Sequence, residues 1–299
     1  MTCKLIRLIS LCMVLLMTQL SNENCVFAQA TSAGPDPTQG TYSTQGSGYD
    51  AAVLADHPVL YVTMGAASDQ GVEPDQSGSH LDGQYRPDNS VPPTVAMPNG
   101  DLARHFDGAT QYLEVPSAPA LSVPTTGILS IEAWMAPDTL QFEHEEGSGY
   151  VYWLGKGDRG EYEYAMRMYS LANTETPPRP NRISGYAFNP AGGLGSGSYF
   201  QDHVVPGQWI HVVLVINTIT TSPQYPTGFV TIYKNGVARK TTALDQFGVV
   251  PSAGSAPFRV ATLNLRSYFA GSIGKVAVYD YELTGEQVMA HTLMMLAGK

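Results

Sequence analysis

The sequence has 299 residues and carries 16 Lys and Arg against 26 Asp and Glu, a formal net charge of −10 at pH 7. This balance argues against a nucleic-acid partner, which needs a basic stripe, and is compatible with glycans, cations or cationic proteins. A folded region of about 250 residues buries roughly three-quarters of its surface, so a hydrophobic core alone can sustain it.

Residues 1–30 have the features of a secretory signal peptide. Lys4 and Arg7 form a basic start, Leu8–Leu20 is mostly apolar, and Ala28-Gln29-Ala30 fits an A-x-A cleavage site. All three cysteines lie in this segment: Cys3, Cys12 and Cys25. We therefore expect a mature chain without disulfides or thiolate ligands. Because no later segment is long and apolar enough to span a bilayer, we expect a secreted protein, extracellular or periplasmic, with no transmembrane segment.

The next segment, residues 31–48, is rich in Gly, Pro, Ser, Thr and Gln and contains almost no aliphatic side chain. This composition predicts a flexible linker. The folded region is predicted to begin at Tyr49 with a short helical turn, followed by a first strand that ends near Val62. One domain is predicted over residues 49–297.

Short segments of alternating polarity, separated by Gly, Pro, Asn and Asp, predict an all-β sandwich of about 12–14 strands in two sheets. Lys234-Asn235-Gly236-Val237 predicts a hairpin with a type I′ turn. The strands that contain Trp134 and Trp209 are expected to cross the core. Thr284-Gly285-Glu286-Gln287 fits a capping box and predicts a short C-terminal helix. The residues expected to pack this helix on the sandwich are Val288, Leu293 and Leu296.

Five phrases in the last two-thirds of the sequence are characteristic of one family. They are Phe106–Pro116, Ser130–Asp138, Gly207–Val213, Val230–Val237 and Gly271–Leu283. In this order they resemble the laminin-G-like (LamG-like) jelly roll of the concanavalin A-like lectin/glucanase superfamily. The resemblance implies a two-sheet antiparallel jelly-roll sandwich with a short C-terminal helix. It leaves the function open, because binding and catalysis are grafted onto such a scaffold separately.

In this superfamily the concave sheet usually presents the ligand site, and the candidate strands here lie between residues 150 and 190. Alternation along residues 161–169 and 182–189 places polar and aromatic side chains on common faces. The candidate ligand-binding residues are Glu161, Glu163, Arg167, Tyr169, Arg182 and Tyr186. Charged groups bind sugar hydroxyls, and aromatic rings stack on sugar C–H faces. The alternative is a set of exposed cross-strand ion pairs, such as Glu163–Arg182 or Glu161–Arg182.

Two glycine-rich loops, residues 155–160 and 192–199, are expected around this face. Such loops either contribute binding residues or serve as flexible connectors, and the sequence leaves both readings open. The acidic run Glu143-His144-Glu145-Glu146 is interpreted as a solvated loop between strands.

The catalytic signatures of related enzymes are absent. Glycosidases of this superfamily carry Glu-x-Asp-x-(x)-Glu on one strand, whereas Glu161-Tyr162-Glu163 lacks the middle Asp and the third Glu. Related polysaccharide lyases use an Arg, a Gln/His pair and a Tyr, but their Gln-Ile/Val-His triplet is missing. The residues that a lyase reading would use are Arg167, His203, His211 and Tyr199. We therefore favour a non-catalytic, lectin-like module for a glycan or an extracellular partner; a glycan-cleaving enzyme and a structural envelope or matrix domain are the alternatives.

A calcium site is a further hypothesis. Residues 75–83 resemble the family's Asp-x-Ser-Gly loop, and Asp75 and Asp82 are its candidate calcium ligands. Many relatives also carry an acidic pair in the last strand, where this sequence has Gly274 and Lys275. The change removes a ligand and adds a positive charge. In the alternative reading, the two aspartates form turns.

Overall fold

The computed structural model describes residues 48–298 of the chain. The predicted signal peptide, and the predicted linker up to residue 47, lie outside the described residues. Gly48, which we assigned to the linker, is instead the first residue of helix α1 (Gly48–Ala55). Over residues 48–298 no helix is long and apolar enough to cross a membrane.

The described residues form sixteen strands and a C-terminal helix, α2 (Gly285–Ala297). The strands are β1 (Leu60–Val62), β2 (Val72–Glu73), β3 (Gly83–Arg86), β4 (Thr94–Ala96), β5 (Leu102–Asp107), β6 (Tyr112–Val115), β7 (Ile128–Pro137), β8 (Tyr150–Lys156), β9 (Tyr164–Tyr169), β10 (Ile183–Ala187), β11 (Ser196–Phe200), β12 (Ile210–Asn217), β13 (Phe229–Lys234), β14 (Val237–Ala243), β15 (Phe258–Val260) and β16 (Ala270–Tyr279). Single-turn 3₁₀ helices span Pro119–Leu121, Val123–Thr125 and Leu244–Phe247.

The strands make two antiparallel sheets of eight, as expected for a jelly-roll sandwich. Sheet 1 has the order β14-β13-β12-β7-β16-β5-β4, with β1 also paired to β16, and sheet 2 has the order β11-β10-β9-β8-β15-β6-β3-β2. The strand number exceeds the predicted range because β1, β2 and β4 have only two or three residues. The alternation of apolar and polar residues that indicates a strand can be recognised only over a run of about four residues or more.

The main core lies between the two sheets. Val212, Leu214 and Ile216 of β12 and Met166 and Met168 of β9 belong to one buried cluster. Fully burying such a side chain contributes about 1.5–3 kcal/mol. The sheets approach closely at Gly185, where an added Cβ would lie 2.3 Å from Leu214 Cδ1.

A second apolar layer lies on the other face of sheet 1, under α1 and α2. It contains Trp134, which was expected in the main core; instead the indole packs against the helices and stacks on His211 with ring centroids 4.8 Å apart. Trp209 is a half-buried member of the same layer. The prediction failed because both faces of β7 and β12 are covered, so every residue of β12 is buried and alternation cannot assign a face.

Local turn and cap predictions are confirmed. Asn235 and Gly236 have φ values of 49° and 84° between β13 and β14, as a type I′ turn requires. Thr284 and Gln287 form the predicted capping box at the start of α2. The predicted packing face of α2 was wrong except at Val288, since Leu293 and Leu296 are exposed. The buried residues are Val288, His291, Thr292 and Met295, which follow helical spacing.

A buried carboxylate joins the helices to sheet 1. Glu132 Oε1 accepts hydrogen bonds from Tyr49 Oη at 2.7 Å and His211 Nε2 at 2.8 Å. Its Oε2 accepts from Tyr279 Oη at 3.0 Å and His291 Nδ1 at 2.9 Å. The donors come from α1, β12, β16 and α2, so this one side chain connects four elements through fully buried contacts.

The network shifts the pKa values of Glu132 and His291 in opposite directions. Burial acts to raise the pKa of Glu132, but the hydrogen bonds from His211 and His291 outweigh burial and hold this pKa well below its usual range. Burial acts to lower the pKa of His291, but the hydrogen bond and charge of Glu132, with the charge of Asp56, raise it. The Glu132 contribution to stability is present above about pH 4.3 and lost as the pH falls; the His291 contribution is present below about pH 6.5 and lost as the pH rises through its folded pKa.

We expect Glu132→Gln to lower the free energy of unfolding by about 3–5 kcal/mol, because it leaves buried polar groups without their charged partner. The loss should be largest between about pH 4.3 and pH 6.5, where both shifted groups are charged, and should shrink above the folded pKa of His291. Urea unfolding at a series of pH values measures it. Glu286→Gln, at an exposed position in the first turn of α2, is the matched control. A loss of unfolding free energy that does not depend on pH would contradict the assignment of shifted pKa values to Glu132 and His291.

Candidate functional site

The outer face of sheet 2 carries the candidate site. On β9, Tyr164, Met166 and Met168 face the core, so the intervening Arg167 and Tyr169 face outward. On β10 the register places Ser184 opposite Arg167. Four aromatic residues surround Arg167. Two lie on β8, one lies on β10, and the fourth, Phe188, follows the end of β10.

The Arg167 guanidinium lies among aromatic rings. Its Cζ atom is 4.3 Å from the ring centroid of Tyr150, 4.7 Å from those of Tyr152 and Tyr186, and 5.2 Å from that of Phe188. The Nη2 group donates a hydrogen bond to Tyr152 Oη at 2.5 Å. Each cation–π contact contributes about 0.5–2 kcal/mol. The rings therefore hold the guanidinium in one position. We call these five side chains the arginine cage.

The charge of Arg167 is not neutralised by direct contact with a carboxylate in the described part of the chain. No carboxylate among residues 48–298 forms an ion pair with this guanidinium, and its buried Nε has no hydrogen-bond partner. Burial raises the pKa of Tyr150 and Tyr152, and raises the pKa of Tyr186 to about 12. The three phenols therefore stay protonated at neutral pH and cannot act as counterions.

A cleft of about 570 Å³ opens beside the arginine cage. This volume is in the range of small-molecule sites. Tyr150 and Tyr162 line the cleft and are half-buried, so their rings remain accessible. The polar groups that line it come from Glu146, Arg159, Arg167, Asn264 and Arg266. Aromatic faces and convergent hydrogen-bonding groups thus share one concavity.

Glu146 is a cleft residue that the sequence interpretation missed. The acidic run of residues 143–146 that contains it was interpreted as a solvated loop, and Glu143 and His144 are indeed exposed. Glu146, however, is half-buried, and its carboxylate accepts hydrogen bonds from Asn264 Nδ2 at 3.3 Å and Ser267 Oγ at 3.4 Å. Burial raises its pKa, opposed by the Asn264 hydrogen bond and the charge of Arg167. No local pattern in the sequence indicated contacts with residues more than 100 positions away.

The second glycine-rich loop forms one wall of the cleft through Gly192 and Gly193. Gly192 has a φ of 78°, and an added Cβ would lie 2.9 Å from the ring of Tyr162. Tyr162 N also donates a hydrogen bond to Pro190 O at 3.1 Å. The loop therefore packs directly on an aromatic lining residue. The sequence left open whether this loop contributes to a site or only connects two strands. In the structure it lines the cleft.

Glu161 and Glu163 do not share a face with Arg167, so that prediction was wrong. β9 begins only at Tyr164. Glu163 is buried in an ion pair with Lys156, and its Oε1 also accepts a hydrogen bond from Gly254 N at 2.9 Å. A buried ammonium requires a close carboxylate, and this requirement overrides the alternation. Glu161 is directed to another loop, where its Oε2 accepts hydrogen bonds from Ser255 N and Oγ at 2.8 and 2.7 Å.

Arg182 lies at the end of β10, outside the cleft lining. Its Nε and Nη2 donate to Gln201 Oε1 at 2.9 and 2.8 Å, and its Cζ lies 3.8 Å from the Tyr199 ring centroid. The alternative ion pairs with Glu161 or Glu163 are therefore absent from the described contacts. Tyr169 packs beside the cage, with its ring centroid 5.4 Å from that of Tyr150. Of the six predicted ligand-binding residues, the structure brings together Arg167, Tyr169 and Tyr186; their binding role stays a prediction.

The predicted calcium loop has the contacts of a turn. Asp75 Oδ1 accepts hydrogen bonds from Tyr61 N and Ser77 N, both at 2.9 Å. Its Oδ2 accepts from Ser77 Oγ at 2.8 Å and Leu81 N at 3.0 Å, while Asp82 Oδ1 accepts from Asp75 N at 2.9 Å. The four acceptor positions of the Asp75 carboxylate are thus used by the protein. Among residues 48–298 no cluster of three or more His, Cys, Asp or Glu could hold a metal. The donor set does not fit a calcium ion.

We expect calcium to leave the melting temperature unchanged to within about 1 °C relative to protein in EDTA, because a cation would have to displace four protein donors from Asp75. Differential scanning calorimetry of the chelated protein, with and without calcium, measures it. Magnesium is the matched ionic-strength control. A rise specific to calcium, abolished by Asp82→Asn, would restore the calcium hypothesis.

Comparisons with known proteins agree with this architecture. Residues 107–289 match the laminin G model of the concanavalin A-like lectin/glucanases superfamily. The botulinum neurotoxin serotype D ligand-binding domain in complex with N-acetylneuraminic acid is similar in structure, with 9% identity, a TM-score of 0.55, and coverage of 82% of this chain and 52% of that one. The botulinum neurotoxin DC binding domain in complex with rat synaptotagmin II has 11% identity and a TM-score of 0.55, over 81% and 52% of the two chains.

A third similar structure is domain 4 of AbnA, a GH43 extracellular arabinanase from Geobacillus stearothermophilus, in complex with arabinotriose. It has 16% identity and a TM-score of 0.50, over 79% of this chain and 98% of that one. The chain spans only about half of the toxin domains, and at these identities the likeness concerns the fold alone. No curated protein matches the sequence. Since the laminin G match extends over more than half of the residues, the chain belongs to the laminin-G-like family of the concanavalin A-like lectin/glucanase superfamily.

Proposed function

We propose that the chain is a non-catalytic glycan-binding module and that its ligand binds in the cleft beside the arginine cage. The observation that carries this proposal is the combination of accessible rings and polar groups in one cleft. Tyr150 and Tyr162 supply ring faces, while Arg167 and Asn264 supply donors. Ligand sites combine an apolar or aromatic lining with a few placed polar groups.

The rigidity of the cage supports binding. Arg167 is held by four rings and by Tyr152 Oη, and Tyr162 is held by the Pro190 carbonyl and the Gly192 loop. Side chains that are already immobilised lose little conformational entropy when a ligand binds. In a flexible surface cluster, the side chains would have to be immobilised when the ligand binds, and this entropic cost would weaken the binding free energy.

The composition of the cleft favours binding over cleavage. Hydrolysis of a glycosidic bond uses two carboxyl groups, and Glu146 is the one carboxylate among the described lining residues. An elimination would need a base, and the raised pKa values of Tyr150 and Tyr152 make them poor bases. His211, which a lyase reading would use, is buried in the Glu132 network.

The similar structures are consistent with a binding role. One toxin domain was solved in complex with N-acetylneuraminic acid, one in complex with rat synaptotagmin II, and the AbnA domain in complex with arabinotriose. Between a glycan and a protein partner we propose the glycan, because the candidate surface is a concave cleft of about 570 Å³, the size of a small-molecule site. The predicted signal peptide of residues 1–30 further supports a role outside the cytoplasm, in the periplasm or the extracellular space.

We expect Arg167→Met to weaken glycan binding by at least roughly 30-fold, about 2 kcal/mol, because it removes the central donor of the cleft. The free energy of unfolding should change by less than about 1 kcal/mol, since the lost cation–π contacts are offset by removal of a buried, unpaired charge. A glycan array on residues 31–299, followed by calorimetric titration of the bound glycans, measures affinity. Urea unfolding measures stability.

Arg86→Met is the matched control, because Arg86 is a partly exposed guanidinium in an ion pair with Glu114 on β6. It should retain wild-type affinity. Tyr162→Ala, which removes a ring without removing a charge, should also weaken binding. If both cleft variants bind like wild type, the ligand binds elsewhere. If the protein shortens a glycan that it binds, the module is an enzyme and the non-catalytic proposal is wrong.

A further inference from the structure

The distribution of paired and unpaired cations singles out the cleft. In residues 48–298, seven lysine and arginine side chains form ion pairs with carboxylates: Arg86, Lys156, Arg179, Lys234, Arg239, Arg259 and Lys275. Six others in this part of the chain have no carboxylate within the 4.0 Å limit for an ion pair: Arg104, Arg159, Arg167, Arg182, Lys240 and Arg266. Three of these six line one cleft, although the protein as a whole is acidic.

Each unpaired cation outside the cleft has another contact. Arg104 Nη1 donates to Pro92 O at 3.1 Å. Arg182 and Lys240 lie over the ring of Tyr199, at 3.8 and 3.9 Å from its centroid. Arg159 and Arg266, by contrast, are exposed at the cleft, and no side-chain partner among the described residues is recorded for them. The cleft therefore has two accessible guanidinium groups in addition to Arg167.

From this arrangement we infer that the glycan bound in the cleft is acidic and carries a carboxylate. The inference rests on the proposed glycan-binding function and specifies the class of ligand. Three guanidinium groups and one carboxylate, Glu146, line the cleft, so its local charge is positive. A neutral sugar would leave this excess positive charge without a counterion. A carboxylate fits the planar guanidinium group, which can donate two parallel hydrogen bonds to its two oxygens.

The negative charge of the whole protein does not prevent this recognition. At physiological ionic strength, interactions between exposed charges are screened over about 8 Å. The field that a bound sugar experiences is thus set by the cleft residues and not by distant carboxylates. Removal of Arg167 from water strengthens its attraction for an anion, because the surrounding rings exclude solvent. The same rings would contact the apolar face of the sugar.

The test compares sugars that differ only in charge. Oligogalacturonides and their methyl esters have the same rings and linkages, but esterification removes the carboxylate charge. Sialyllactose and its methyl ester form a second pair, and heparin adds sulfate groups. Isothermal titration should give at least about tenfold tighter binding for the acidic member of one pair. Raising the salt from about 0.1 M to about 1 M should reduce this preference, because the screening length for the exposed Arg159 and Arg266 falls to about 3 Å.

The variant Arg159→Gln/Arg266→Gln should lower the affinity for the acidic sugar by a larger factor than the affinity for the neutral one, and so reduce the preference to the part that Arg167 contributes. Both positions are exposed, so folding should be unaffected. The matched control is Arg86→Gln/Arg239→Gln, which removes the same charge from two cations outside the cleft and should keep the preference.

The outcomes separate the two proposals. Equal affinity for charged and esterified sugars, with binding still lost in Arg167→Met, would overturn the acidic ligand and leave the glycan-binding function. Binding to heparin but to neither carboxylate sugar would replace the carboxylate by a sulfate and would also overturn the inference. Binding to no charged or neutral glycan would overturn the proposed function itself. A preference for the acidic sugar that is undiminished both in Arg159→Gln/Arg266→Gln and in Arg167→Met would show that the charge is recognised elsewhere.

Discussion

The packing of sheet 2 against sheet 1 determines what the outer face of sheet 2 can carry. Met166 and Met168 must face the core, and the strand geometry then requires Arg167 to face outward. Leu214 of sheet 1 fills the space at Gly185 so closely that no side chain fits there. The neighbouring Tyr186 consequently points away from the core and beside Arg167. The arginine cage is thus a consequence of core packing, and the core does not depend on it.

Lys156, Glu132 and Arg167 lie in three different electrostatic settings. Lys156 and Glu163 neutralise each other at the end of β8. Glu132 is surrounded by four donors and joins the helices to sheet 1. Arg167 has rings in place of a carboxylate. Burying a charge is costly unless it is paired, so the first two settings stabilise the fold. The third retains a charge that forms no ion pair with a described residue.

The sequence predicted the features that depend on local patterns. The Asn235-Gly236 turn, the capping box at Thr284 and the outward position of Arg167 follow from residues within a few positions of each other. The features that it missed depend on distant contacts. The contacts of Glu146 with Asn264 and Ser267 are invisible in a local window. Burial of both faces of sheet 1 likewise removes the alternation that would have assigned Trp134.

The separation between core and cleft explains how the family scaffold can carry a specific site. The walls of the cleft are loops, such as the one at Gly192, that pack on Tyr162 without entering the main core. Substitutions at Arg159 or Arg266, which are exposed, change the charge of the cleft without changing the contact between the sheets. Hydrophobic side chains at position 167 would satisfy the packing of the surrounding rings at lower electrostatic cost. The arginine at this position therefore supports the proposed binding function.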